Sequence, residues 1–183
     1  MKKIIYLFLF SALFFNVKYA SAQGQYDKGN ILVNGGFGLG YYYSSGGIPI
    51  LVSGEYAITD AISVGPYLGY TSRTFTEYTW KERYTFIDFG ARGSYHFMKH
   101  LNLDIDKLDL YGGLFVGYLA ANYKLVNAPV GYNAYYYNTG TYGSVARVGI
   151  YAGARYYFTD MFAAYAELGY GIAPLSLGVT LKF

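Results

Sequence analysis

From Ile31 to the C-terminus, apolar residues recur at every second position, the repeat of side chains that alternate between the two faces of a β-strand. Ile31, Val33, Phe37 and Leu39 alternate with Asn34, Gly36, Gly38 and Gly40, and the pattern runs on through Tyr41 and Tyr43. A second stretch sets Ile50, Val52, Tyr56 and Ile58 against Ser53 and Glu55, and a third sets Ile62, Val64, Leu68 and Tyr70 against Ser63, Gly65, Gly69 and Thr71. Further stretches carry Ile87 to Phe97, Leu108 to Tyr118 (less clean), Ala146 to Phe158, Phe162 to Tyr170 and Leu175 to Phe183. The spacing predicts eight strands of about ten residues each, and no helical period competes with it.

The connections alternate in length. Tight turns are expected around Thr59-Asp60 and Thr159-Asp160, and a longer polar segment from Met98 to Asp106. At the other end lie 44–47, 72–83, 121–143 and a short link at 171–174. The two tight turns sit in a weak repeat: Glu55-Tyr56-x-Ile58-Thr59-Asp60-x-Ile62 echoes Arg155-Tyr156-x-Phe158-Thr159-Asp160-x-Phe162. A loop with an odd number of residues, such as three, keeps both flanking strands in phase.

The first 22 residues are set apart. Lys2 and Lys3 precede an apolar run from Ile4 to Phe15, and Ala20-Ser21-Ala22 is a small-x-small cleavage site, which together read as a secretory signal peptide. Residues 23–183 are then the folded domain. Of the 14 Lys and Arg, Lys2, Lys3 and Lys18 fall in the leader, leaving 11 against 11 Asp and Glu. The basic balance belongs to the leader, so it is no argument for a nucleic-acid partner. With no Cys, the chain has no disulfide framework or thiolate metal site.

Two barrel classes compete for this pattern. A water-soluble barrel turns its aliphatic face inward and shows water a charged one. Here only 14% of residues are charged, against roughly 25–35% for a well-solvated surface, and the second face is mostly Gly, Ser and Tyr. The apolar face therefore meets hydrocarbon, and the sheet must close, because an open edge in lipid leaves backbone groups unpaired. The fold expected is an all-β, eight-stranded, antiparallel up-and-down transmembrane barrel. Tyr41, Tyr43, Tyr70, Tyr118, Tyr156 and Tyr170 would form its interfacial girdles.

Leu175, Leu177, Val179, Leu181 and the terminal Phe183 alternate and end on an aromatic residue. In this the chain resembles the small outer-membrane β-barrel proteins of Gram-negative bacteria, typified by the transmembrane barrel of outer membrane protein A. The resemblance implies that this last strand is the signal read by the barrel assembly machinery. It also implies that both chain ends face the periplasm and that the protein resides in the outer membrane among lipid and lipopolysaccharide.

An eight-stranded barrel encloses a space that side chains can fill. Alternation places Glu55, Asp88, Asp109 and Glu167 in that lumen with Arg92, Arg147, Arg155 and Lys182. If Phe158 faces Phe162 across the turn, Arg155 lies diagonal to Glu167, and an Arg155–Glu167 ion pair is expected within a structural plug. Gly36-Phe37-Gly38-Leu39-Gly40 lies inside a strand with no helix after it, which fits a crowded lumen rather than a dinucleotide loop. His96 and His100 are expected as interfacial polar residues, with no acid placed to orient an imidazole. Asp104, Asp106 and Asp109 lack the Gly and Glu of a calcium loop and are expected to solvate a turn. No catalytic, metal or cofactor residues are assigned.

The segment between the fifth and sixth strands carries Tyr132, Asn133, Tyr135, Tyr136, Tyr137 and Tyr142. Tyr gives large contact area at low entropic cost, which suits recognition of an extracellular protein or glycan; a loop packed over the barrel mouth, or an extended hairpin without a partner, is the alternative. The function expected is that of a monomeric, non-enzymatic outer-membrane protein with a structural or surface-interaction role. A narrow ion or small-solute channel and a lipid A-modifying enzyme stand as the alternatives.

Overall fold

The computed structural model describes residues 26–40, 47–77, 80–101, 105, 107–126 and 143–183. Eight antiparallel strands close into a barrel in sequence order: β1 (Ile31–Leu39), β2 (Ile50–Ala57), β3 (Ile62–Glu77), β4 (Trp80–His96), β5 (Leu108–Val126), β6 (Val145–Tyr157), β7 (Phe162–Gly169) and β8 (Leu175–Lys182). The seam is β1 against β8, from Leu32↔Lys182 to Leu39↔Leu175. At its foot Ile31 and the terminal Phe183 exchange two backbone hydrogen bonds of 2.9 Å each. Every strand thus has two neighbours, which is what lets a sheet sit in hydrocarbon.

The repeated turn is built twice the same way. Thr59 Oγ1 accepts the amides of Ala61 and Ile62 at 3.2 and 2.9 Å, and Thr159 Oγ1 accepts those of Met161 and Phe162 at 3.3 and 3.1 Å. The Ile58 amide donates to Ile62 O at 3.0 Å and that of Phe158 to Phe162 O at 2.9 Å. Three residues lie between each flanking pair, so Ile58 and Ile62, like Phe158 and Phe162, stay on the outer face.

That outer face is apolar. Val148 is 73% exposed, Ile150 67% and Leu114 62%, surface that only acyl chains can cover without a large hydration penalty. Tyr56, Tyr95, Phe97, Tyr156, Phe158, Phe162 and Phe183 ring the turn end, and Tyr70, Tyr118 and Tyr170 the opposite end. Tyr41 and Tyr43 lie outside the described residues.

Three sequence expectations are corrected. Residues 72–77 and 80–83 are strand rather than loop: β3 and β4 stay paired from Thr71↔Phe86 to Glu77↔Trp80. Of 121–143, the first part continues β5 as far as Val126, paired with β4 by Lys81↔Val126, and 127–142 lie outside the described residues. β3, β4 and β5 therefore run on as a three-stranded sheet, by roughly 20 Å at ~3.3 Å per residue, past the level where β2 and β6 begin. The hydrophobic alternation fades there because neither face meets hydrocarbon, although the backbone still prefers its ladder. Finally, Met98–Leu101 forms one helical turn, α1, anchored by amide bonds of His100 and Leu101 to Phe97 O.

Candidate functional site: the barrel lumen

Lumen shape follows from a pairing of ring against glycine. Tyr111 stands opposite Gly153, Phe115 opposite Gly149, Tyr151 opposite Gly113 and Gly169, and Tyr165 opposite Gly178. A Cβ built on any of these glycines would lie 2.4–2.7 Å from the facing aromatic side chain. The glycines make room for rings that fill the interior, which explains why Gly and Tyr are both so abundant.

The described interior is layered along the axis. At the turn end Tyr26, Leu32 and Ala57 form an apolar floor. Burial pushes the Tyr26 phenol above its ordinary range, so it stays neutral there. At the opposite end Phe86, Leu119, Ala121, Ile172 and Ala173 form an apolar roof, with Leu51 and Tyr84 against it. The roof includes the β7–β8 link, whose Ile172 and Ala173 fold into the mouth. Gly38 leaves space for this, since a Cβ there would come 2.4 Å from Ala173 Cβ.

Between floor and roof the charged side chains meet. Glu55 is the hub. Its carboxylate accepts from Asn34 Nδ2 at 2.8 Å, Ser63 Oγ at 2.7 Å, Ser94 Oγ at 3.0 Å and Arg155 Nη2. Arg155 Nη1 also donates to Asp109 Oδ2 at 3.1 Å, and its guanidinium lies 4.0 Å from the Tyr111 ring centroid. One step toward the roof, Arg92 and Glu167 pair at 2.6 Å, and Tyr111 donates to the same Glu167 oxygen at 3.1 Å. Higher still, Arg147 and Asp88 pair at 2.8 Å, with Tyr67 donating to Asp88 at 3.1 Å. Arg147 Nη2 also holds the roof link, donating to the carbonyls of Tyr170 at 2.9 Å and Gly171 at 3.0 Å. Lys182 sits at the floor with its ammonium 5.0 Å from the Tyr157 ring.

The expected Arg155–Glu167 pair does not form. The register does place Arg155 opposite Tyr165, but Arg155 crosses the lumen to Glu55 and pairs with Asp109, its direct partner on neighbouring β5, while Glu167 takes Arg92. Of the carboxylates that Arg155 meets, one comes from β2 across the barrel and the other from β5, the neighbour of β6 on the side away from its hairpin partner β7.

His96 is also corrected. It is buried rather than interfacial, stacked under Tyr26 with ring centroids 3.5 Å apart, and its Nδ1 lies 2.8 Å from Asp109 Oδ1. Asp109, expected to solvate a turn, is 1% exposed. Ser63 Oγ lies 3.2 Å from His96 Nε2, so Ser63, His96 and Asp109 have the residue types and spacing of a nucleophile, base and orienting acid. The arrangement does not activate the serine. Ser63 gives its proton to Glu55, and Ser63 has no exposed surface for a substrate to reach. Periodicity marked His96 and Ser63 as inward, but their meeting depends on β3, β4 and β5 being adjacent. His100 is exposed and lies 3.0 Å from Tyr95 Oη through Nδ1. Among the described residues no three His, Asp or Glu side chains converge as metal ligands.

Above the ion pairs lies a cavity of about 70 Å³, bordered by Asp88, Arg92, Tyr151, Glu167 and Ile172, with room for a few waters. The terminal-strand residues Leu175, Leu177, Val179 and Leu181 belong to β8, with Phe183 45% exposed just beyond it. Tyr132, Asn133, Tyr135, Tyr136, Tyr137 and Tyr142 lie outside the described residues, as do Asp104, Asp106 and the leader.

No family model matches the chain, and no curated protein sequence matches it. Solved structures do. The outer membrane protein OprG of Pseudomonas aeruginosa superposes with a TM-score of 0.64 at 11% identity, over 88% of this chain and 99% of that one. Ail, the attachment invasion locus protein of Yersinia pestis, solved with the heparin analogue sucrose octasulfate, gives 0.55 at 15% identity over 85% and 99%. The N-terminal β-barrel domain of Pseudomonas aeruginosa OprF gives 0.52 at 20% over 85% and 98%. All three are eight-stranded outer-membrane barrels, and the closed antiparallel sheet is common to them and to this chain: the chain has the fold of the small bacterial outer-membrane β-barrels.

Proposed function

We propose that this protein is exported through the Sec-type pathway with residues 1–22 removed, is inserted by the barrel assembly machinery through its Leu175–Phe183 strand, and acts as a monomeric, non-enzymatic outer-membrane protein. Its role is structural or adhesive, carried by what projects from the membrane, with lipopolysaccharide around it and an extracellular protein or glycan as the recognised surface. The observation that carries this reading is the filled lumen: ion pairs from five strands between an apolar floor and an apolar roof leave the exterior as the surface able to do work. The β3–β4–β5 extension supports it by lifting a sheet clear of the bilayer.

The test is whole-cell attachment. Replacing 132–142 by a Gly/Ser segment should abolish binding to host-type surfaces while the protein still migrates differently in unboiled and boiled detergent samples. Attachment that persists rejects the adhesive role. A narrow channel is the second reading, favoured by the cavity beside Asp88 and Arg92; discrete single-channel currents altered by Arg147→Ala would establish it.

A further inference from the structure

The sheet beyond the membrane rim has two unlike faces. The inner one is aromatic: Tyr84 lies 5.9 Å from Phe75 and 5.1 Å from Tyr123, and Glu82 turns to this side to accept from Tyr84 Oη at 3.1 Å. The outer one continues the lipid-facing side of the barrel. Its rows run in register from Tyr70–Ile87–Ala120, the last apolar row, to Ser72–Thr85–Asn122 and then to Thr74–Arg83–Lys124. Lys81 stands one row further along β4. Lys81, Arg83 and Lys124 are all exposed, and no described carboxylate lies on these outward rows.

Arg83 and Lys124 are direct cross-strand partners. Like charges directly opposite each other destabilise a sheet, so this register leaves two cations sharing an unmet demand for an anion. Arg83 Nε donates only to Thr74 Oγ1, at 3.3 Å, among the described contacts. Height decides which anion meets them. Two rows at ~6.7 Å along strands tilted by about 40° put the basic row about 10 Å above the last apolar row, within reach of long side chains that bend back toward a headgroup. Phosphate groups of a membrane lipid lie at that level. A guanidinium beside an ammonium matches a phosphate monoester, the first as a two-pronged donor and the second as a point charge.

We propose that Lys81, Arg83 and Lys124 form a docking site for the sugar-linked phosphates of lipid A in the outer leaflet, fastening the extension to the membrane surface. The proposal rests on the outer-membrane reading above and assigns it a specific lipid contact.

The test uses the folded full chain in phosphatidylcholine nanodiscs, titrated with bisphosphorylated lipid A or with its dephosphorylated form. The phosphorylated lipid should bind at least about tenfold more tightly, the scale of one or two charge-assisted hydrogen bonds. The variant Lys81→Gln/Arg83→Gln/Lys124→Gln should erase that preference, and Arg73→Gln, on the aromatic face beside Phe75, should keep it. Equal binding of the two lipids, or an unchanged preference in the triple variant, overturns the proposal. Displacement by millimolar inorganic phosphate would make this a free-phosphate site and overturn the lipid assignment. Should the triple variant fail to fold, Lys124→Gln alone decides. It should unfold at the same or higher denaturant than the wild type in phosphatidylcholine, where like charges are relieved, and at lower denaturant when lipid A is present; the absence of this reversal overturns the proposal. Failure of the wild type to enter nanodiscs at all would instead reject the membrane reading itself.

Discussion

Glu55 and Arg155 are ion-paired across the lumen from strands on opposite sides of the barrel, β2 and β6, which share no backbone ladder. Neither side chain has appreciable solvent exposure. The pair therefore ties the two walls together through the interior, and Asn34, Ser63 and Ser94 satisfy the remaining lone pairs of the carboxylate. A buried ion pair is tolerable only with such a shell, because the loss of hydration is otherwise not made up.

Removing Glu55 should accordingly damage the barrel more than removing any other lumen polar group. Glu55→Ala leaves Arg155 with Asp109 alone and takes an acceptor from Asn34, Ser63 and Ser94, whose donor groups keep only Ser53, His96 and Tyr151 as partners, and should destabilise by about 3 to 5 kcal/mol. Glu167→Ala, at a partly exposed pair, should do less, and Ser176→Ala least. Urea unfolding in detergent micelles, followed by tryptophan fluorescence, orders the three. Equal midpoints would reject the plug.

Backbone proximity should separate glycines that look alike in the sequence. A Cβ at Gly90 would lie 2.1 Å from the Val116 carbonyl oxygen, whereas one at Gly35 would meet nothing within 4 Å. Gly90→Ala should therefore lose about 1 to 3 kcal/mol or fail to refold, as overpacked interiors do. Gly35→Ala, facing lipid, should refold with wild-type yield, read as the unboiled-to-boiled gel shift.

Arg147 joins Asp88 to the carbonyls of the roof link, so Arg147→Gln should release that link without opening the β1–β8 seam. Hydrogen exchange should accelerate at the amides of Gly169 and Tyr170, bonded to Pro174 O and Ile150 O, by about tenfold or more. The amides of Leu177 and Val179 should change little. Uniform acceleration along β8 would mean that Arg147 supports the whole barrel instead.

The membrane rim can be located with nitroxide labels. A label at Val148 should collide with dissolved oxygen and be shielded from an aqueous nickel chelate, whereas one at Asn122, beyond the last apolar row, should show the reverse. Two water-accessible labels would place the band elsewhere.

Strand count, face assignment and the two three-residue turns were legible in the chain because each depends on neighbours in sequence. Side chains alternate with period two whatever the rest of the molecule does, and Thr59 and Thr159 cap their own turns. The extension of β3, β4 and β5 was hidden by the same logic. Outside hydrocarbon, Thr74, Arg83 and Lys124 need not alternate with apolar residues, and polar composition reads as loop.

The sequence by itself determined which side chains turn inward and that the sheet must close, since lipid permits no open edge and period two leaves one oily face. It could not determine which inward charge meets which. Closure brings residues distant along the chain to one axis, so Arg155 of β6 finds Glu55 of β2 and Arg92 of β4 finds Glu167 of β7, pairs between strands that share no ladder. Those contacts depend on barrel diameter and on the height of each residue along the axis, quantities fixed only when all eight strands are in place.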